Sequence, residues 1–342
     1  MNARFEIGLR RERAAAAADA IAHAAGVTVH DPHPLAVGMS LRAAAEAIGA
    51  TRLRPDQPAG AALAAGMATS DFSAALADSL KVASIAAFDA AAAHRAFCGS
   101  VEVTNFQETE ILPLEVGPVL INEVREGGEI PTTALQMPAR SGSARLRTYG
   151  GLYRLGRALV INSELGPLVR SLNAAAVAAA AKEASLLAQL LETNPTMPDG
   201  KAAFDDDFGN IESTALSATN LGNAIAKLRK QSTATGVAGN LAAAHLVVAP
   251  ELEFTAQGIL HQAGAGNIRL HALAGLTSGR WFVLADPAVC SAVSLLGLAG
   301  ARHPVRVEPL RYDFTSDSLS FRLTADLGSV FARRVGIVRG GE

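Results

Sequence analysis

Residues 163–195, SELGPLVRSLNAAAVAAAAKEASLLAQLLETNP, predict one long helix, and this helix decides the type of fold. Ser163 is a favourable N-cap, Pro167 suits the first turn, and Pro195 ends the helix. A helix over 164–193 would be about 45 Å long at the usual rise per residue. Only small alanine side chains are available on most of the apolar face in the middle of the helix. The larger residues of this face are Leu165, Leu168, Leu172, Val177, Leu186, Leu187, Leu190 and Leu191. A helix of this kind is typical of a spine that lies across a sheet rather than of a bundle.

On both sides of this helix the sequence mixes helical and strand patterns. Upstream we predict alanine-rich helices at 10–25 and 40–49, a small-residue linker at 51–70, a helix from Asp71 to about Phe97, and β patterns at 101–121 and 145–161. Downstream we predict a helix at 219–232, a strand at 243–250, a helix at 251–263, a strand at 281–286, a helix-like segment at 287–297 and strands within 304–338.

The stretch before the long helix has its charges sorted along the chain. From Glu102 to Glu129 there are seven glutamates and one arginine, Arg125. From Ile130 to Ser163 there is no acid, but there are five arginines. A turn signal at Gly127-Gly128 separates the acidic part from the basic part.

The composition excludes several classes of protein. The chain is 49% hydrophobic and 18% charged with a formal net charge of −2, which argues against a protein that coats nucleic acid by charge alone. Cys98 and Cys290 form no disulfide or metal pattern and are predicted to be buried thiols of an intracellular protein. Asp19 and His23 interrupt the apolar N-terminal run, which argues against a signal peptide, and no uninterrupted apolar run reaches the ~20 residues that span a bilayer.

No pattern of catalytic or metal-binding residues stands out. Lys201 follows a glycine but lacks the rest of a phosphate loop, and GAGNIR at 264–269 lacks the third glycine of a dinucleotide fingerprint. His30 and His33 have metal-compatible spacing without further ligands, which favours a surface turn. The three aspartates at 205–207 lack the spacing of a calcium loop, which favours a solvated acidic turn.

Six segments occur in the order seen in one family of phage proteins. They are TSDFSAALADSL (69–80), EVREGGEI (123–130), RTYGGLYRLGRALVINSELG (147–166), NPTMPDGKAAF (194–204), LVVAPELE (246–253) and WFVLADP (281–287). In these segments the chain from 67 to 342 resembles the major head subunits of Mu-like phages and prophages, especially the capsid half of prohead protease–capsid fusion proteins. VGMSLRAAAEAIGA (37–50) resembles the linker of those fusions, but 66 residues cannot hold the protease, so no proteolytic activity is expected.

The resemblance implies an α+β protein with the Hong Kong-97-like capsid fold. The implied parts are an N-terminal helical and linker segment (1–66), an N-arm and helix (67–105), an extended β-hairpin loop (106–150), a peripheral domain (151–200 and 304–342) with its spine helix (164–193), and an axial α/β domain (201–303). The charge-sorted stretch would then be the extended hairpin. An acidic leg and a basic leg can pair with complementary legs of adjacent subunits.

The candidate site is therefore a set of inter-subunit contacts on this hairpin. The predicted contact residues are Glu123, Arg125, Glu126, Glu129, Arg140, Arg145 and Arg147. An ordinary surface hairpin with a chance charge pattern is the alternative. Some capsids of this fold crosslink a hairpin lysine to a neighbour's asparagine, but residues 102–157 contain no lysine, so no such crosslink is expected here.

The implied function is structural and not enzymatic: self-assembly into an icosahedral phage or prophage-derived head that encloses double-stranded DNA. The implied partners are other copies of the chain in hexamers and pentamers, a portal, and scaffold, protease or decoration proteins, with no cofactor and no membrane. The expected location is the virion capsid, assembled in the cytoplasm of a bacterial host. The alternatives are a nanocompartment shell of the same fold around a cargo enzyme, and an α/β enzyme whose catalytic residues the sequence does not reveal.

Residues 1–66 are expected to bury little apolar surface and not to fold alone. The resemblance suggests that they lie inside the immature shell, help subunits to co-assemble and are removed by a separate protease near Met67. Two alternatives remain: that Met67 is the true first residue, or that the segment stays and folds against the shell.

Overall fold

The computed structural model describes residues 3–51, 61–67, 69–110, 143–162, 165–197, 200–232, 238–310, 313 and 318–341. Five of the predicted contact residues lie outside this part of the chain, namely Glu123, Arg125, Glu126, Glu129 and Arg140. The predicted N-cap Ser163 also lies outside it, whereas Arg145 and Arg147 lie within it.

The described residues form helices and strands in a mixed order. The helices are α1 (Ala3–Ala24), α2 (Leu41–Ala50), α3 (Ala61–Met67), α4 (Ser70–Ala91), α5 (Arg157–Ile161), α6 (Gly166–Thr193), α7 (Ala218–Lys230) and α8 (Glu253–Gln262). The strands are β1 (Gly99–Val103), β2 (Thr109–Glu110), β3 (Ser143–Ala144), β4 (Arg147–Gly156), β5 (Ile211–Glu212), β6 (Ala243–Val248), β7 (Arg269–Ala272), β8 (Trp281–Ala285), β9 (Val293–Leu298), β10 (Val305–Pro309), β11 (Ser318–Leu327), β12 (Ser329–Phe331) and β13 (Ile337–Gly340). Short 3-10 helices cover Ala93–Phe97, Asp206–Phe208 and Pro250–Leu252.

The chain folds into two compact units. The first comprises 1–91, 148–180 and 302–326, and the second comprises 92–147, 181–301 and 327–342. The long helix α6 confirms the predicted spine, and it contributes its first part to the first unit and its last part to the second. The peripheral and axial domain boundaries implied by the resemblance stay a prediction.

The first unit combines helices with a three-stranded sheet in the order β10-β11-β4. The helix predicted from Asp71 is confirmed as α4, which buries Phe72, Leu76 and Leu80 and packs against β10. The apolar face of the spine helix contains Leu168 and Leu172 and then narrows to buried alanines in this unit. Val177 was predicted on that face but is 44% exposed, so this one assignment is wrong.

The expectation that residues 1–66 bury little apolar surface is wrong. Helix α1 packs on α2 and α4, α2 packs on α3, and Ile21, Leu41 and Leu63 are buried. Part of the predicted linker is helix α3, which packs closely against α2. A Cβ added at Gly66 would lie 1.9 Å from the Ala45 carbonyl oxygen, so this glycine permits a helix contact rather than flexibility.

The second unit is built on a five-stranded mixed sheet in the order β5-β13-β8-β6-β7. Helices α7 and α8 cover one face, where Leu221, Leu228 and Leu260 pack against β6 and β8. The last part of α6 covers the other face through Leu187 and Leu191. The strand–helix pattern predicted for 219–286 is thereby confirmed, with a further short strand, β7, inside the segment that separates α8 from β8.

Two local predictions fail for the same physical reason. Residues 157–161 continue the predicted β pattern but form helix α5, which buries Val160. Residues 287–297 were predicted to be helix-like but contain the start of strand β9, which pairs parallel with β1 and antiparallel with β12. Short apolar runs fit either structure, so partners that are distant in sequence decide between helix and strand.

Candidate assembly surface

The base of the predicted hairpin is an antiparallel strand pair. Strand β2 pairs with β3, with Thr109 opposite Ala144 and Glu110 opposite Ser143. The two segments that flank residues 111–142 therefore lie side by side. This geometry agrees with a hairpin, while its full extent over 106–150 stays a prediction.

A small apolar cluster anchors this base in the second unit. Val103, Ala144 and Leu146 are buried together with Leu296 and Val330, which belong to β9 and β12. Alternate residues on an extended chain point to opposite sides. Since Ala144 and Leu146 face the cluster, Arg145 and Arg147 face outward, and both are exposed.

The described ends of the two legs carry opposite charges. Glu102 and Glu108 are exposed on the outgoing leg, and Arg145 and Arg147 are exposed on the returning leg. Arg145 also holds the two legs together, because its Nε donates to the Phe106 carbonyl oxygen at 3.1 Å. A guanidinium group has further N–H donors, so this bond does not exhaust the capacity of Arg145 to bind a carboxylate.

A buried ionic cluster lies just before the first leg, and the sequence analysis missed it. Glu183 on α6 is 0% exposed. It accepts from Arg95 at 2.8 and 2.7 Å, and His94 Nε2 lies 2.8 Å from its Oε2. His94 and Arg95 lie in the 3-10 helix that immediately precedes β1. The cluster therefore holds in place the short helix that leads into β1 and then into the hairpin.

The protonation state of Glu183 follows from this geometry. Burial by itself would raise the pKa of Glu183, but the hydrogen bonds from His94 and Arg95 and the charge of Arg95 outweigh it and lower that pKa. Glu183 is thus a carboxylate at neutral pH. The same negative charge adds to burial in raising the pKa of the nearby Cys98 thiol. Both cysteines are buried, as predicted.

One sequence signal could have revealed Glu183. It continues the stripe on which Ala176 and Ala180 precede it and Leu187 follows, all of them buried. A carboxylate at such a position needs a buried cationic partner. The partner itself could not be predicted, because Arg95 lies 88 residues away.

A second pair, of the buried His245 and the partly buried His271, joins β6 to β7. His245 Nδ1 lies 3.0 Å from His271 Nε2, and the His271 ring lies 5.2 Å from the ring of Phe97. Burial, followed by the positive charges that His245 carries when protonated and that Arg269 carries throughout, lowers the pKa of His271 to about 4. Burial and Arg269 also lower the pKa of His245, against the opposing charge of Asp286. The pair is neutral at pH 7, with one ring donating and the other accepting.

We expect this histidine pair to make the stability of the second unit depend on pH. The folded pKa of His271 is lowered, so between the ordinary histidine pKa of 6.5 and about 4 the unfolded chain binds a proton that the folded chain does not. The free energy of unfolding should fall on the order of 2 kcal/mol as pH drops through this window. Urea unfolding at pH 7 and pH 5 measures the effect. A His271→Asn variant should show a smaller difference, and an equal difference would contradict the assignment.

The structure gives little support to metal chemistry. In the described ranges, no group of three or more His, Cys, Asp and Glu side chains could hold a metal ion. The Nζ of Lys201 lies 2.5 Å from Asp207 Oδ2, and Asp205 accepts from the Asp207 backbone N–H. Lys201 and a backbone N–H group therefore offset part of the negative charge of the turn at 205–207.

One helix, α6, is long and apolar enough to cross a membrane by length and composition. The core helix of a soluble protein meets the same two criteria. Here the leucines of α6 pack into protein cores, and Glu183 on the same helix is ion-paired.

The hairpin base is anchored within its own unit, and the charged side chains described at the ends of its two legs are exposed, which fits the subunit of a shell. A comparison with protein families agrees with this class: the family model "Phage capsid protein" matches residues 141–340. The chain belongs to the phage capsid protein family. The predicted α+β capsid fold and the predicted role as a structural shell protein are confirmed.

Solved structures with similar folds come from several sources. A virus-like particle from Pyrococcus furiosus is 12% identical, covers 77% of this chain and 97% of its own, and has a TM-score of 0.49. A phage-related protein from Bordetella bronchiseptica RB50 is 11% identical, with 76% and 95% coverage and a TM-score of 0.47. The procapsid of satellite phage P4 is 9% identical, with 74% and 96% coverage and a TM-score of 0.44. No curated protein matches the chain, and the family assignment rests on the family model.

Proposed function

We propose that this chain is the major head subunit of a Mu-like phage or prophage. Copies of it form the hexamers and pentamers of an icosahedral shell in the cytoplasm of a bacterial host. The shell encloses double-stranded DNA, carries a portal at one site, and the subunit itself has no catalytic role. Membership of the capsid family supports the shell, and the six ordered segments quoted above support the Mu-like assignment.

The observation that carries this proposal is the base of the hairpin. Its two legs are paired, anchored by Val103 and Leu146, and carry opposite exposed charges. We propose that Arg145 and Arg147 of one subunit bind glutamates of the next, with Glu123, Glu126 and Glu129 as the partners. Each exposed pair contributes only about 0–1 kcal/mol. Repetition around a shell makes their sum large enough to fix the register between subunits.

Negative-stain microscopy of the purified chain tests the proposal. We expect closed shells of uniform size, and shells purified from a lysogen should contain double-stranded DNA. Shells that contain a protein cargo instead of DNA would favour the nanocompartment alternative. A chain that stays monomeric at all concentrations, with and without a co-expressed scaffold or portal, would contradict the shell proposal.

We propose further that residues 1–66 act during assembly and are removed near Met67. Met67 is 1% exposed, so cleavage there requires α3 to separate from α2 first. N-terminal sequencing of subunits from mature, DNA-filled particles checks this. The expected start lies between about Ala64 and Asp71. An intact Met1 or Asn2 terminus would refute the removal of this segment.

A further inference from the structure

The second unit exposes one aromatic side chain almost completely. Phe254, in the first turn of α8, is 87% exposed, more than any other large hydrophobic side chain in the described part of the chain. Val289, in the turn after β8, is 74% exposed. Burying a phenylalanine side chain contributes about 1.5–3 kcal/mol. Within this unit Phe254 provides almost none of that stabilisation.

The sheet places Phe254 and Val289 beyond opposite ends of one strand pair. Strands β6 and β8 are antiparallel, with Val248 opposite Trp281. Phe254 follows the end of β6, and Val289 follows the end of β8. The two side chains therefore lie on different edges of the unit and cannot cover one another.

The two edges carry opposite charges. Beside Phe254, the side chains of Glu251 and Glu253 are exposed; these three residues are called the acidic edge. The opposite edge contains Val289 and the exposed Lys230, which ends α7, and these two residues are called the basic edge.

Hydrogen bonds place Lys230 near Val289. Gln231, the residue after Lys230, accepts from the Gly336 backbone N–H at 2.8 Å. Cys290, the residue after Val289, lies with its sulfur 3.4 Å from the Val335 carbonyl oxygen. One acid, Asp286, also lies on this side of the unit, where it accepts from the Ala288 backbone N–H.

The charges alone would not indicate a partner. A helix dipole favours acids at the first turn of α8 and bases at the last turn of α7. The dipole gives no reason for an exposed phenylalanine, since alanine forms helix better than phenylalanine does. Interface centres are enriched in aromatic side chains and are bordered by a polar rim, and Phe254 with the exposed Glu251 and Glu253 beside it has that composition.

We propose that the acidic edge of one copy docks on the basic edge of the next copy, so that Phe254 covers Val289 across the contact. A second copy is the partner because both complementary edges lie on the same chain. Contacts between two different surfaces are heterologous, and repeated heterologous contacts close into rings. This inference rests on the proposed shell function and assigns one contact within it.

Charge exchange tests this contact. Phe254→Ala should remain folded and raise the concentration needed for assembly at least tenfold, measured by sedimentation. Glu253→Lys alone and Lys230→Glu alone should each impair assembly, and the combined variant should regain it. Val82→Ala and Asp78→Lys, which alter exposed residues of α4, are the matched controls and should assemble as the original chain does. Circular dichroism verifies folding in every case.

The outcomes separate this inference from the shell proposal. If the unaltered chain forms no shells under any condition, the proposed function fails. If it forms shells and Phe254→Ala assembles at the same concentration, the shell proposal stands and the contact is refuted. A combined variant that stays as impaired as its parents would also refute the pairing of the two edges.

Discussion

Replacing Glu183 with alanine is expected to lower the free energy of unfolding by about 2–4 kcal/mol, because the buried His94 ring and the partly exposed Arg95 guanidinium lose their shared acceptor. Arg95 makes two hydrogen bonds to this carboxylate, and His94 makes a third contact with it. Removing the acceptor leaves the buried His94 ring without this contact, whereas the Arg95 side chain, which is 34% exposed, can still reach water. The loss should exceed that of any exposed ion pair in the first unit, such as the pair of Arg42 and Glu46.

Chemical denaturation at pH 7 measures this loss, with Gln189→Ala as the control on an exposed position of the same helix. Glu183→Gln keeps the shape but removes the charge, so it should lie between the control and Glu183→Ala. The lowered pKa of Glu183 adds a second test. Its contribution is complete above the unfolded value near 4.5 and is lost as pH falls through the lower folded value. A Glu183→Ala loss below 1 kcal/mol would contradict the assignment of a buried ionic cluster.

The long helix and the strand–helix order of the second unit could be predicted from the sequence, since both depend on local patterns. Pro195 ends a helix wherever the chain goes, and the run from Trp281 to Ala285 is apolar enough to be buried on both sides. The pairing of β9 with β1 and β12 could not be predicted, because it joins residues far apart in sequence. The packing of α3 on α2 at Gly66 could not be predicted either, since a small residue is equally typical of a flexible segment and of a close contact between two helices.

The same distinction between local sequence patterns and long-range contacts applies to the candidate site. Charge sorting along the chain is a local property and pointed to Arg145 and Arg147, which the structure places on the exposed side of the hairpin base. The cluster around Glu183 and the pair of His245 and His271 are long-range contacts between single residues. Apart from the position of Glu183 on the buried stripe of α6, neither leaves a pattern in the sequence, so only a three-dimensional structure reveals which residues are partners.

Reversing both exposed arginines of the hairpin base, Arg145→Glu with Arg147→Glu, should leave the subunit folded and abolish shell assembly. Leu146, which anchors the base between them, is unchanged, so the apolar cluster remains. In the proposed contact, the double variant replaces attraction to glutamates of the next subunit by repulsion at every copy of the contact. Loss of the bond from Arg145 to the Phe106 carbonyl is a small local cost, because net contributions of single hydrogen bonds are about 1 kcal/mol.

A series of variants separates attraction from repulsion. The double alanine variant removes attraction only, so it should still assemble at a raised concentration, whereas the double glutamate variant should not assemble. Lys81→Glu with Arg302→Glu reverses two exposed bases elsewhere and is the control for net charge. If the charge-sorted legs meet across subunits, adding Glu123→Arg and Glu126→Arg to the double glutamate variant should restore assembly. Normal shells from the double glutamate variant would show that the charge sorting of this hairpin plays no part in assembly.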